Sequence, residues 1–361
     1  MRELQIQSNI KNYTVSFEES FDFLASLGEI EHRSIIIDRN VAAFYHEVLH
    51  AVFSQEEIIL LDAVEENKTL EYAGILIEQM IAQAAKKNLT LISIGGGITQ
   101  DVTGFIASTL YRGVNWIFIP TTFLAQTDSC IGSKTSINFK SYKNLLGTFY
   151  PPSKIYVNPV FLQTLTPLDF YSGIGETIKF QLMKEEETKD FDQIVEIVER
   201  AKQDRTRLLP LIEENMGVKL SYMEGDEFDQ GRRNLLNYGH CFGHALETVT
   251  EYYVPHGIAV TVGMIFANAI SLGRGIMESD FFDRLNQNLF LPNIPLSLEN
   301  SHFDSERLLM AMKNDKKRIG KALTVILPDV TFSMQKADDV REEEFDQALD
   351  ITMKLLIGRT L

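Results

Sequence analysis

Only two of the 361 residues are cysteine, Cys130 and Cys241, too few for a disulfide framework and suited to a reducing compartment. Long apolar runs are missing as well. None approaches the ~20 residues that cross a bilayer, and the opening MRELQIQSNIKNY carries charges and no apolar core of signal-peptide type. The expectation is a cytoplasmic protein with no membrane partner. Positive charge is in deficit: 34 Lys and Arg face 50 Asp and Glu, for a net charge of −16. That balance argues against nucleic acid or an anionic membrane as partner, and makes any local cluster of Lys and Arg informative. Internal repeats, low-complexity segments and long linkers are also absent.

What remains is an ordinary globular composition, 45% apolar and 23% charged, in a chain long enough for two domains. Apolar, β-branched runs at 34–37, 57–61, 89–94 and 116–120 alternate with helical patterns at 41–53, 70–87 and 101–111. This alternation predicts βαβ units and a mainly parallel sheet. After Pro151-Pro152 the patterns become long and helical, with few strand candidates. We therefore expect an α/β Rossmann-like domain over 1–152 and an all-α domain over 153–361. The acidic stretch Asp338 to Asp346 reads as a solvated helix face.

In open α/β sheets ligands bind beyond the carboxyl ends of the strands. The loops there begin with Asp38-Arg39-Asn40, which offers an acid to a ribose hydroxyl. Next comes Gly95-Gly96-Gly97 leading into a helix, where the backbone can approach a diphosphate favoured by the helix N-terminus. The loop is not GxGxxG, because Gln100 occupies the third glycine's place, and a simple tight turn would account for it equally well. Thr121 and Thr122 follow the next strand at the same edge. From Lys134 to Asn144 there are three lysines and two asparagines and no acid, which suits an anionic small substrate such as a phosphate ester, a solvated loop being the alternative.

Three of the seven histidines fall in one stretch: His240 and His244, spaced i, i+4 on a helix starting near Gly239, and His256, which follows Pro255 and opens an apolar helix to Ile270. Two imidazoles at that spacing lie roughly 5–6 Å apart at Cβ on one helix face and can converge on one small object. Zinc, cobalt or iron suits such a set, often with a carboxylate among the ligands. Spacing alone leaves metal binding and helix capping or core hydrogen bonding equally open. A carboxylate follows in the helical half, in Gly175-Glu176-Thr177-Ile178-Lys179, where Glu176 and Lys179 form an i, i+3 pair on an apolar helix, either an internal salt bridge or part of a site.

From about Ile35 to Leu327 these segments resemble the 3-dehydroquinate synthase family of sugar phosphate cyclases. The resemblance is carried in order by IIIDRNV, EENK, SIGGGITQDVTGF, YRGV, IPTTFLAQTDSCIGSKT, YKNLLGTFYPP, GIGETIKF, RNLLNYGHCFGH, HGIAV and MKNDKK. It implies a Rossmann-like NAD domain joined to a helical metal domain. By the same resemblance Glu176, His240 and His256 are ligands of a divalent metal, zinc or cobalt. His244 contacts substrate and handles a proton. Asp38, Asn40, Glu65, Lys68, Gly96, Gly97, Asp101, Thr121, Thr122, Asp128 and Lys143 match NAD-binding positions. Lys134, Asn144, Lys179, Lys219, Arg233, Asn237 and Lys316 match residues that hold the substrate's phosphate, carboxylate and hydroxyls. Arg112 matches an arginine reaching the substrate phosphate of the neighbouring subunit, which implies a homodimer.

The implied substrate is a phosphorylated seven-carbon sugar acid. The implied activity is its cyclisation through transient oxidation by NAD, β-elimination of phosphate and an intramolecular aldol step. Ser133, Gln100 and Asp229 depart from the family's usual glycine, glycine and glutamate, and the first 30 residues match poorly. Two other readings follow from the same blocks: another sugar phosphate cyclase of an aminocyclitol-type pathway, and a metal-dependent NAD polyol dehydrogenase of related fold, for which the lysines have no use.

Overall fold

The computed structural model describes residues 2–83, 86–140, 142–185, 190–313 and 322–358. The chain divides into two compact units, Met1–Leu165 with Arg205–Glu213, and Thr166–Asp204 with Glu214–Leu361.

The first unit is built on β1 (Arg2–Ile6), β2 (Tyr13–Phe17), β3 (Arg33–Asp38), β4 (Ile58–Leu61), β5 (Thr90–Gly95), β6 (Asn115–Pro120) and, further along, β9 (Lys154–Val157). These form one sheet in the order β1-β2-β9-β6-β5-β3-β4, parallel except where β1 meets β2. Ile35, Ile36 and Ile37 on β3 and Leu91, Ile92 and Ile94 on β5 are fully buried, because helices cover both faces of a parallel sheet. Here the boundary expected at 152 is corrected. The segment after the two prolines adds β9 between β2 and β6, and 205–213 returns to this unit, where the Arg205 guanidinium donates to Leu165 O at 2.9 Å. The poorly matching amino terminus supplies the two strands at one sheet edge.

Around the sheet run α1 (Leu24–Gly28), α2 (Arg39–Phe44), α3 (His46–His50), α4 (Leu70–Ala82) and α5 (Gly97–Thr109). The helix expected over 41–53 breaks at Tyr45, whose φ of −114° and ψ of 24° end α2. There its hydroxyl donates to Val160 O at 3.0 Å, and its ring packs edge-on against Phe161 at 4.9 Å. The lysine-rich stretch is a hairpin, β7 (Lys134–Phe139) and β8 (Tyr142–Phe149).

The second unit carries α6 (Pro167–Met183), α7 (Phe191–Gln203), most of α8 (Leu209–Met223), α9 (His240–Val249), α10 (His256–Gly273), α11 (Ser279–Leu285), α12 (Ser305–Lys313) and α13 (Glu342–Leu356). It is helical as expected, with one added hairpin, β10 (Leu323–Pro328) and β11 (Met334–Val340). The acidic stretch therefore splits: Asp338 and Asp339 belong to β11, and Glu342 to Glu344 open α13. Arg274, just past α10, draws both parts in, bonding Glu344 at 2.6 Å and Asp339 at 3.0 Å.

Helix α10 is the centre of this unit. Its 18 residues have a mean hydropathy of 1.5, enough by length and apolarity to cross a membrane, but 83% of it is buried, which marks a core helix. It lies against α6 through glycine. A Cβ on Gly175 would sit 2.0 Å from Gly257 O, and one on Gly257 would sit 1.8 Å from Ser172 O. Ser172 Oγ accepts from Gly257 N–H at 2.8 Å, so the two helices are both pressed and bonded together there.

Candidate active site

The close approach of α6 and α10 brings Glu176, next to Gly175, to His256, next to Gly257. The third element is α9. Gly239, at φ 78°, turns the chain into it in a left-handed conformation, and a Cβ there would lie 2.5 Å from Val260 O. His240 is thereby the first residue of α9, as His256 is of α10, and the imidazoles project from rigid helix starts. Glu176 is fully buried. Its Oε1 lies 3.4 Å from His240 Nε2 and 3.3 Å from His256 Nε2, while Oε2 is held by Lys179 Nζ at 2.5 Å. One nitrogen from each of His240, His244 and His256 also lies within 4.8 Å of the others.

These residues fit a metal ion. Ligands about 2.0–2.2 Å from a tetrahedral centre are about 3.3–3.5 Å apart, which is the spacing found from Oε1 to the two Nε2 atoms. Imidazole nitrogen with one carboxylate oxygen is also a usual donor set for zinc or cobalt. Burial works to raise the Glu176 carboxyl, but the Lys179 cation and the two imidazoles hold it well below the ordinary carboxylate range, so it stays an anion. His240 is held below its ordinary value, first by burial and then by Lys179, and so keeps a free lone pair. His240 Nδ1 lies 3.1 Å from Tyr238 O; donating there leaves Nε2 as the acceptor.

Lys219 is buried on α8. Arg233 and Asn237 lie on the short turn Arg232–Asn237 that runs into α9. A second turn orients Arg233: Asp226 accepts from the N–H groups of Gln230, Gly231 and Arg233 at 2.7, 2.8 and 2.9 Å. Although burial opposes it, these donors hold the Asp226 carboxyl below its ordinary value. Asp229 sits in this turn at φ 61°. Lys316 lies outside the described residues.

In the first unit, the register pairs Ile37 with Ile94 and Gly95 with Pro120, so the loops after β3, β5 and β6 leave the sheet at one edge. Asp38 accepts from Asn40 N–H at 2.7 Å and caps α2. Gly96 precedes α5, and no side chain caps that helix start. A Cβ on Gly96 would meet Thr122 Cγ2 at 2.8 Å, and Thr121 is buried against the same strand end. The uncapped N–H groups and the absence of side chains fit a diphosphate. Lys68 and Asp101 are joined at 2.5 Å, and Ser136 N–H donates to Asp101 at 3.0 Å. Glu65 accepts from Asn138 at 2.9 Å, which fastens the β7–β8 hairpin to the segment after β4. Asp128 lies in the turn Ala125–Ser129, and Lys143, half-buried, lies on β8.

Three expected substrate contacts also belong to this unit. Lys134 is exposed at the start of β7, and Arg112 is exposed at φ 66° after α5. Asn144, grouped by resemblance with the substrate residues, bonds to Lys68 at 2.5 Å, a residue expected to hold the cofactor, and to Ser136 at 2.9 Å.

The departures from the family pattern have local explanations. Gln100 exchanges two hydrogen bonds with Ser129, each 2.7 Å, and so ties α5 to the turn after β6. Ser133 stands at φ 64°, where the family's glycine would be at ease, and its buried hydroxyl has no hydrogen-bond partner among the described residues. Ser133→Gly should therefore stabilise the fold by about 1 kcal/mol, the relief of left-handed strain outweighing the entropy added to the unfolded chain. Chemical denaturation measures it.

The sequence reading missed Glu247, whose Oε2 is 3.0 Å from His256 Nδ1. Its signal was available: His240, His244 and Glu247 are i, i+4 and i+7, one face of α9.

Family models described as 3-dehydroquinate synthase N-terminal and 3-dehydroquinate synthase C-terminal match residues 58–172 and 173–318. A curated 3-dehydroquinate synthase from Streptococcus pyogenes is 32% identical over 355 residues, covering 96% of this chain and 98% of its own. The solved structure of 2-epi-5-epi-valiolone synthase from Streptomyces hygroscopicus, with NAD+ and Zn2+ bound, is similar at TM-score 0.83 and 25% identity, over 97% of this chain and 99% of that one. A 2-deoxy-scyllo-inosose synthase complexed with carbaglucose-6-phosphate, NAD+ and Co2+ is similar at TM-score 0.79 and 25% identity, over 96% and 99%. Matched by family models in both halves and by a relative along nearly its whole length, the chain belongs to the 3-dehydroquinate synthase family.

Proposed function

We propose that this chain converts 3-deoxy-D-arabino-heptulosonate 7-phosphate to 3-dehydroquinate and phosphate, as an NAD- and metal-dependent lyase of the cytoplasm. The observation that carries the reading is the convergence of His240 and His256 on one oxygen of Glu176 while Lys179 holds the other. A structural ion pair would not need two imidazoles aimed at the same oxygen. Glu176, His240 and His256 would hold zinc or cobalt, and the glycine turn with Asp38, Asp101, Thr121 and Thr122 would hold NAD. When bound, NAD supplies a reversible hydride acceptor, regenerated each turnover, and the ion a Lewis acid.

The chain's own residues do the rest. Lys134, Lys179, Lys219 and Arg233 bind the phosphate and carboxylate, and fixing both ends of the substrate orients the carbon that must lose a proton. Asn144 and Asn237 bind its hydroxyls, and His244 handles the proton. Arg112, exposed on its turn, serves the neighbouring subunit's substrate in a homodimer.

The test is phosphate release from the heptulosonate phosphate with catalytic NAD, with and without chelator, while absorbance is followed for NADH. Chelator-sensitive release without net NADH supports the proposal; net NADH from a simple polyol would indicate a dehydrogenase instead. A second reading, a cyclase acting on another sugar phosphate, is favoured by Asp229 in place of glutamate in the Arg233 turn. Release from sedoheptulose or glucose phosphate alone would establish it. Lys219→Ala should lower kcat/KM by roughly 10- to 100-fold, the value of a charged contact, while titrations with metal and NAD stay unchanged.

A further inference from the structure

We propose that Glu247 is a positioning residue for the metal centre, accepting a hydrogen bond from His256 Nδ1–H so that Nε2 is the nitrogen left to the metal beside Glu176 Oε1. The inference rests on the reading of His256 as a metal ligand.

An imidazole can offer a metal only the nitrogen that carries no proton, so a ligand histidine needs an acceptor at its other nitrogen. His240 finds one in the carbonyl of Tyr238, two residues back, at 3.1 Å. His256 is the first residue of α10, and the partner of its Nδ1 is a carboxylate. Its acceptor comes from another helix. Glu247 on α9 places Oε2 3.0 Å from His256 Nδ1, and Nε2 of the same ring is 3.3 Å from Glu176 Oε1. The imidazole is thus gripped at both nitrogens by carboxylates, one on α9 and one on α6.

The burial of Glu247 supports a specific role. Its side chain is only 4% exposed, and a carboxylate in such a place is costly unless it is hydrogen-bonded or paired. Residues 247–254 also fix its distance to His256, since Tyr252 N–H donates to Glu247 O at 2.8 Å and closes the turn between α9 and α10. The carboxylate and the imidazole it orients therefore lie at the two ends of one short loop.

The test uses the full-length protein and competition with a chelator to measure the Kd for zinc, with the visible spectrum of the cobalt-loaded form as a second readout. Glu247→Gln keeps the shape but can offer its amide N–H to Nδ1 and favour the wrong tautomer. It should weaken zinc binding 10- to 100-fold and alter the cobalt spectrum. Glu247→Asp, which keeps the charge at a shorter reach, should recover part of the loss, and it serves alone if Glu247→Gln does not fold. In a His256→Ala background, Glu247→Gln should change the Kd no further. A Glu247→Gln protein within twofold of the parent Kd, with an unchanged cobalt spectrum, overturns the inference. If His256→Ala itself binds zinc like the parent, the ligand assignment has failed instead.

Discussion

His256→Ala should give a folded protein that binds zinc or cobalt roughly 10³-fold more weakly and has no measurable cyclase activity. The size follows from the donor set: metal binding at a protein site is worth on the order of 10–16 kcal/mol, and this change removes one of three protein ligands. His240→Ala should behave alike, since both Nε2 atoms face Glu176 Oε1 at nearly the same distance, 3.4 and 3.3 Å. His244→Ala is the informative contrast. Its ring is close, with centroids 5.4 Å from His240 and 5.6 Å from His256, but the family resemblance gives it the substrate's proton and not the ion. We expect it to lose catalysis and keep the metal. Equal metal loss in all three variants would make the histidine trio the ligand set and displace Glu176.

The same site fixes a pH dependence. Burial alone would pull the His256 imidazole down, but the carboxylates of Glu247 and Glu176 push it up to about 9 in the metal-free protein. The ring is therefore protonated at neutral pH, and the proton competes with the ion for the nitrogen. Affinity should rise with pH, by up to about tenfold per unit from 7, and level off near 9. Calorimetry in buffers of different ionisation enthalpy should show about one proton released per ion bound at pH 7. The sign is set by the raised value, since a depressed one would leave affinity flat above pH 7.

Several of these features could be read from the chain alone, and the boundary between the readable and the hidden is physical. The buried strands announce themselves because both faces are covered, so Ile35-Ile36-Ile37 and Leu91 to Ile94 read as unbroken apolar runs. The glycine turn and the i, i+4 histidines are local patterns. Strand β9 was hidden by its four-residue length and the prolines before it, and it is a strand only because β2 and β6 flank it. The hairpin at 134–149 reads as a charged loop because only one of its faces is covered, with Thr135 and Ile137 inside and Lys134 outside. The bond of Asn144 to Lys68 could not be read from the sequence, because Lys68 lies 76 residues away along the chain. Glu247 was missed although its helical spacing was in view, because a glutamate on an amphipathic helix is ordinarily solvated.

The second large effect is expected of Gly257→Ala, a single methyl group. The added Cβ would lie 1.8 Å from Ser172 O, 2.6 Å from Ser172 C and 3.0 Å from Ser172 Cα, all backbone atoms that no rotamer change can move aside. Helices α6 and α10 would have to separate by about an ångström or more, with loss of the 2.8 Å bond from Gly257 N–H to Ser172 Oγ. Overpacking of this kind typically costs about 1–3 kcal/mol, and a backbone-to-backbone clash belongs at the upper end or beyond. The functional loss should be larger still. Glu176 and His256 ride on the two helices being parted, and a metal centre tolerates only about 0.2 Å in its ligand distances. We expect zinc affinity to fall at least 100-fold, even in preparations that remain folded by circular dichroism. Gly175→Ala, whose Cβ would meet Gly257 O at 2.0 Å, should reproduce both effects from the other helix. Gly273→Ala is the control: it lies on the same α10, a Cβ there meets nothing within 4 Å, and it should leave metal binding unchanged while adding a few tenths of a kcal/mol. Parent-like zinc affinity in Gly257→Ala would mean that the contact of α6 with α10 is packing alone and does not set the geometry of the site.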